Sequence, residues 1–146
     1  MAPFNHPFNY SKSVSRLLNE YKEHSKLYVA FDFDDTIFDY HNTGGDFSSV
    51  ISLLKECSKL GFVLILFTSN EGKRLDWMIE YCKHFGIAVD YINENPEIMD
   101  TRKPYYNILL DDRAGLECTF NQLSNVISLI KSEKDASIKL NQTREE

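Results

Sequence analysis

A chain of 146 residues carrying 16 Lys and Arg against 22 Asp and Glu, for a formal net charge of -6, is the size of one ordinary domain with one core. Its 42% hydrophobic and 13% aromatic residues place it away from the polar, highly charged compositions that stay disordered. The longest apolar run, residues 62–67, is far too short to span a bilayer, and the acidic balance speaks against a globally basic nucleic-acid binder.

Residues 1–7 contain neither a basic leader nor an apolar export segment, so a cytoplasmic location is expected. Cys57, Cys82 and Cys118 are an odd set without CxxC spacing, which suits buried thiols in a reducing compartment better than a disulfide or zinc framework.

Val14, Leu17, Leu18 and Tyr21 recur at helical spacing and predict an amphipathic first helix. Residues 27–31 are continuously apolar and end abruptly in Asp32, Phe33, Asp34, Asp35 and Thr36, the pattern of a buried central strand opening onto solvent. After the turn pair Gly44-Gly45, Asp46 can cap a helix that buries Val50, Leu53, Leu54 and Cys57 and is closed by Gly61. The strand at 62–67 ends in Thr68, Ser69 and Asn70. A helix carrying Leu75, Met78, Ile79, Cys82 and Phe85 follows. Residues 87–92 predict a weaker strand, and residues 108–110 a last one ending in Asp111, Asp112 and Arg113. The final helix buries Leu116, Phe120, Leu123, Ile127 and Ile130. Residues 1–132 are therefore expected to form the domain, with 133–146 a charged, flexible tail, either a fraying end of the last helix or disordered.

Strands alternating with helices predict an α/β fold: a three-layer, Rossmann-like parallel sheet with helices on both faces. Such sheets bind ligands at the carboxyl ends of their strands, so Asp32, Asp34, Asp111 and Asp112 are expected to meet there with Thr68 and Ser69. Four clustered carboxylates need a hard divalent cation, and Mg2+ is the expected cofactor. A carboxylate beside such a cation can attack phosphorus, while Thr68, Ser69 and the amides of the strand-to-helix turn suit phosphoryl oxygens. Lys103 is the best placed cation to complete the phosphate clamp, with Arg102 and Lys73 as alternatives. Taken singly, each Asp reads first as a helix cap or turn residue and Lys103 equally as a solvated loop lysine; jointly they point to a site.

These residues resemble the haloacid dehalogenase superfamily of phosphohydrolases. The likeness covers residues 27–113 and rests on an apolar strand followed by DxDxT at Asp32, Asp34 and Thr36, a second strand ending in Thr68, Lys103 before Pro104, and the acidic pair Asp111-Asp112. The resemblance implies Asp32 as nucleophile and Asp34 as acid and base. It places the metal on Asp32, the backbone carbonyl of Asp34, and Asp111, with Asp112 a further or water-mediated ligand. Asp35 stands where many relatives have Gly, and Lys103 lies closer to Asp111 than in many relatives. The stretches 36–68 and 95–103 have no room for a cap domain, so a capless branch with an open site is expected.

The expected activity is hydrolysis of a phosphomonoester through an aspartyl-phosphate. The substrate is a nucleotide, another phosphorylated metabolite or a phosphorylated macromolecule; Leu109 to Arg113 is similar to the same stretch of small nucleotidases. No membrane partner is expected, nucleic acid enters only as a nucleotide or oligonucleotide phosphate, and the chain is a monomer or homo-oligomer. Tyr40 and His41, in the loop before Gly44, are the candidate substrate flap, and Lys73, Arg74 and Arg102 would draw an anion to the mouth. His6, His24, His41 and His84 show no metal-ligand spacing. Two other classes use the same scaffold, a phospho-accepting receiver-like signalling module and a catalytically silent binding protein.

Overall fold

A computed structural model describes residues 8–144. The reading of residues 1–7 as lacking an export segment, His6, and the last two residues of the tail lie outside the described residues. The elements run α1 (Tyr10–His24), β1 (Tyr28–Asp32), α2 (Ser48–Lys59), β2 (Val63–Phe67), α3 (Gly72–His84), β3 (Tyr91–Ile92), β4 (Ile108–Leu110) and α4 (Leu116–Arg144). The four strands form one parallel sheet in the order β3-β2-β1-β4, flanked by the helices.

Consecutive residues of a strand point to opposite faces. Tyr28, Val29, Ala30 and Phe31 are all buried, so both faces of the central strand are covered. That double burial is why β1 reads as a continuous apolar run. Register then places the site. Asp32 pairs with Phe67 on one side and Phe31 with Leu110 on the other, so the next step beyond β4 sets Asp111 level with Asp32.

The start of the sheet is tied down by a polar cluster around the buried Asn107. Asn107 accepts the Tyr28 N–H through Oδ1 at 2.6 Å and donates Nδ2 to Glu20 of α1 at 2.7 Å. Arg16 reaches both Glu20 and the Asn107 carbonyl. Each buried group of Asn107 thus has a partner, which removes the desolvation cost it would otherwise carry.

Four expectations change. β3 is confined to Tyr91–Ile92 because the Asp90 carboxylate, rather than a backbone carbonyl, receives the Leu64 N–H at 2.9 Å. α2 starts at Ser48 with Asp46 just outside it, its Oδ1 accepting the Ser48 N–H at 2.9 Å. Cys118 is exposed, whereas Cys57 and Cys82 are buried and their thiols are pushed up to about 12 by desolvation. Finally, the boundary at 132 falls inside α4, which continues to Arg144 with every residue from Lys131 exposed. No Gly or Pro interrupts 131–144, and its Lys, Glu, Ala and Leu are good helix formers. Lys131 pairs with Glu56 and Glu133 with Lys22, attaching the first exposed turn to α2 and α1.

Candidate functional site

The chain leaves β1 through a tight turn. The Phe33 carbonyl accepts the N–H groups of Thr36, Ile37 and Phe38 at 3.2, 3.0 and 3.3 Å, and the fully buried Phe33 and Ile37 pin that turn to the core. Asp35, at the position where the resemblance leads one to expect Gly, adopts a φ of 59°. That left-handed conformation is the reason Gly is at home there; Asp is among the residues that tolerate it. Its N–H donates to the Phe38 carbonyl, and its carboxylate pairs with His41 Nδ1.

The turn aims Thr36 inward, and Thr36 is fully buried. Its Oγ1 lies 3.2 Å from Asp32 Oδ2 and 3.3 Å from Asp112 Oδ1, and it accepts the Asp112 N–H at 3.2 Å. One hydroxyl therefore links the end of β1 to the loop after β4. Asp32, Asp111 and Asp112 each offer a carboxylate oxygen, all within 4.8 Å of one another. Burial pushes the Asp32 carboxyl up to about 7, aided by the charge of Asp111 and contact with Asp112, against the lowering effect of hydrogen bonds from Thr36 and the Phe33 amide. Arg113 N–H donates to Asp111 Oδ1 at 2.9 Å and orients that carboxylate.

Asp34 departs from the expected group of four carboxylates. Its side chain is absent from the acidic trio and instead accepts from Arg74 Nη2 at 2.9 Å. The turn at Phe33 carries Asp34 out of strand geometry, toward the first turn of α3. Arg74 is held in turn by aromatic rings, with its guanidinium carbon 4.5 Å from the Trp77 ring centre, 5.5 Å from Phe38 and 5.9 Å from Tyr40. Among the described residues Arg74 is the basic side chain paired with a carboxylate of the DxD segment. Lys103, Arg102 and Lys73 make no such pair among the described residues, and all three are exposed.

Thr68 sits one residue beyond Phe67, as its position at the end of β2 requires. Its N–H donates to Asn93 Oδ1 at 2.9 Å, and its Oγ1 accepts from Asn70 N and Nδ2, both at 3.1 Å. The hydroxyl thus organises the turn into α3, while Ser69 beside it is exposed. Lys103 and Arg102 lie on a loop held by Asn95, whose Nδ2 donates to the carbonyls of Thr101 and Lys103 at 2.8 Å and whose Oδ1 accepts the Tyr105 N–H at 2.9 Å. Arg102 shares a cavity of about 240 Å3 with Phe67 and Asn93, whereas Lys103 lines a separate one with Met99 and Tyr106.

The candidate flap is folded on itself. Asp39 accepts the N–H groups of Thr43 and Gly44 at 3.0 and 2.8 Å, and these bonds hold its carboxyl below the usual range. Tyr40 projects outward and is 58% exposed. Sequence reasoning missed the linking role of Thr36, the pairing of Arg74 and the anchoring by Asn95. Only Thr36 carried a signal, as the last residue of the DxDxT segment.

A parallel α/β sheet with a carboxylate trio at its carboxyl edge is thus the class that fold and site define. No family model matches the chain, and no curated protein matches it. A solved structure of a conserved protein from Bacteroides thetaiotaomicron is similar to this chain at 27% identity and a TM-score of 0.54, covering 74% of this chain and 92% of that one. Among the described residues no helix is long and apolar enough to cross a membrane.

Proposed function

We propose that the chain is a Mg2+-dependent phosphomonoester hydrolase of the capless haloacid dehalogenase type, working in the cytoplasm on a phosphorylated substrate. The observation that carries this reading is the trio of Asp32, Asp111 and Asp112, with the buried Thr36 hydroxyl between two of its members. The donor set fits a hard divalent cation: three carboxylates converge, and burial together with the charge of Asp111 disfavours ionisation of Asp32, a cost that a bound cation would offset. Asp32, Asp111 and Asp112 would hold the ion, which when bound supplies charge neutralisation and polarises a phosphoryl oxygen.

Asp32 Oδ attacks phosphorus, and the bond from phosphorus to the ester oxygen breaks. Asp34 gives its proton to the leaving alcohol. Arg74 occupies Asp34 Oδ1, which leaves Oδ2 to carry that proton. Water then attacks the phosphoryl group on Asp32, Asp34 takes the proton of that water, and phosphate leaves with Asp32 restored. Thr68, Ser69 and one of the basic residues Lys103, Arg102 or Lys73 are the proposed phosphoryl grips, and the Thr68 hydroxyl also shapes the turn into α3.

The test is a phosphatase screen over nucleotides, sugar phosphates, phosphopeptides and 3'- or 5'-phosphorylated oligonucleotides, with and without Mg2+, against an Asp32→Asn control. Metal-dependent phosphate release from wild type alone, with acid-stable capture of a phosphoryl group on Asp32, is the expected result. Release no greater than that of the control on every substrate overturns the reading.

A further inference from the structure

A cavity of about 890 Å3 opens beside Asp112, between the first turns of α2 and α4. That volume suits an organic molecule of roughly drug size. Phe47, Val50, Leu116 and Phe120 supply apolar walls, and Tyr10 adds a third aromatic ring. The charged residues of the lining are Asp46, Asp112 and Glu117, and the lining described contains no Lys, Arg or His. Asp112 belongs both to this cavity and to the trio, and the Thr36 hydroxyl touches Asp112 and Asp32 alike. A substrate with its phosphoryl group at Asp32 can therefore extend past Asp112 into the cavity.

Two helix N-termini would ordinarily draw an anion. Here each is already answered from within the chain. Asp46 accepts the Ser48 N–H at the start of α2, hydrogen bonding from the Ser48 side chain and then from that N–H keeps its carboxyl below the usual range, and Glu117 stands in the first turn of α4. A further anion would meet these carboxylates, whereas a cation gains both their charge and the faces of the aromatic rings. Lys73, Arg74 and Arg102, which would attract an anion, are absent from this lining.

We propose, building on the phosphomonoester reading, that this cavity takes the organic half of the substrate and selects an apolar alcohol bearing a positive charge. The substrate class is then the phosphomonoester of an amine-bearing aryl or alkyl alcohol. Nucleotides that carry additional phosphates fit it poorly.

A charge series on one framework tests the proposal: para-substituted phenyl phosphates whose side chain ends in an ammonium, a methyl or a carboxylate. The expected kcat/KM falls in that order, with about tenfold or more between the ammonium and carboxylate esters, the scale of one charge contact near the surface. Glu117→Lys, at an exposed position, should compress or invert the order, and Phe120→Ala should raise KM for all three. An order unchanged in Glu117→Lys overturns the proposal even if Phe120→Ala fails to fold. Binding of tyramine, which has no phosphate, is followed separately by chemical-shift changes at Cys118 and Phe120. Shifts at those residues without hydrolysis of any ester retain the cavity and remove the phosphatase reading; hydrolysis without charge discrimination does the reverse. A dimer in sedimentation that Glu117→Lys dissolves would assign the cavity to a second copy of the chain and overturn the proposal.

Discussion

Arg74 Nη2 lies 2.9 Å from Asp34 Oδ1, joining the first turn of α3 to the turn after β1 across 40 residues of sequence. The pair is partly exposed, with side-chain accessibilities of 35% and 27%, so its value lies in orientation more than stability. Trp77, Phe38 and Tyr40 fix the guanidinium, and the guanidinium fixes the carboxylate.

Removing Arg74 should therefore act through Asp34. Arg74→Ala is expected to lower kcat on alkyl phosphates by about tenfold to a hundredfold, a fraction of what a general acid contributes. The loss on p-nitrophenyl phosphate, whose leaving group needs little protonation, should be smaller. In an Asp34→Asn background the same change should no longer alter the ratio between the two substrates. Independent, multiplicative losses in the double variant would separate Arg74 from Asp34.

Asp32→Asn is expected to leave less than about a thousandth of wild-type turnover, because the amide is nearly isosteric but cannot attack phosphorus. The same variant has a stability signature in metal-free protein. The Asp32 carboxyl is raised from 3.8 to about 7 on folding, so between those values the folded state binds more protons than the unfolded one. Stability contributed through this group therefore falls as pH rises from about 4 to about 7. Asp32→Asn should flatten that fall and raise Tm above pH 7 by about 3 °C, the shift produced by roughly 1 kcal/mol in a domain of this size. Thermal melts of both proteins in EDTA across that range, with an identical slope for the two, would contradict the assignment.

Mg2+ should raise the melting temperature of the wild-type protein and EDTA should abolish its activity, since a divalent cation offsets the crowded trio. Asp111→Ala is expected to lose most of the Mg2+-dependent shift while melting at a similar or higher temperature in EDTA. Activity that survives thorough chelation would remove the metal from the chemistry.

The loop ordered by Asp39 presents Tyr40 and His41 at the mouth, with His41 bound to Asp35 and Tyr40 beside Arg74. Replacing both by Ala should raise KM for the preferred substrate more than for p-nitrophenyl phosphate, as expected of a flap that closes over a larger substrate at the mouth. Steady-state kinetics on both esters give the answer: equal effects would mean that the loop shapes the catalytic centre rather than selecting the substrate.

The order of strands and helices, and the carboxylates at the strand ends, were legible in the residues themselves. An apolar run such as 27–31 that stops at Asp32 carries its own reason, because a strand buried on both faces cannot admit a carboxylate until it reaches the sheet edge. Residues 108–110 ending at Asp111 follow the same rule. Local hydrophobic pattern is sufficient there, since the burial that selects each residue acts on its own side chain.

Contacts between segments were decided only by the folded chain. Whether Asp34 joins the other carboxylates or turns to Arg74 depends on the direction of the turn at Phe33 and on how α3 packs against it. Thr36 becomes the link between Asp32 and Asp112 because register sets β4 beside β1, a long-range fact. The short β3 reflects competition between the Asp90 side chain and the backbone for one N–H, and α4 extends past Ile130 because good helix formers continue a helix after its buried face has ended. Periodicity reports which face of an element is buried; it does not report which polar partner from another element arrives first, and in this site those partners set the chemistry.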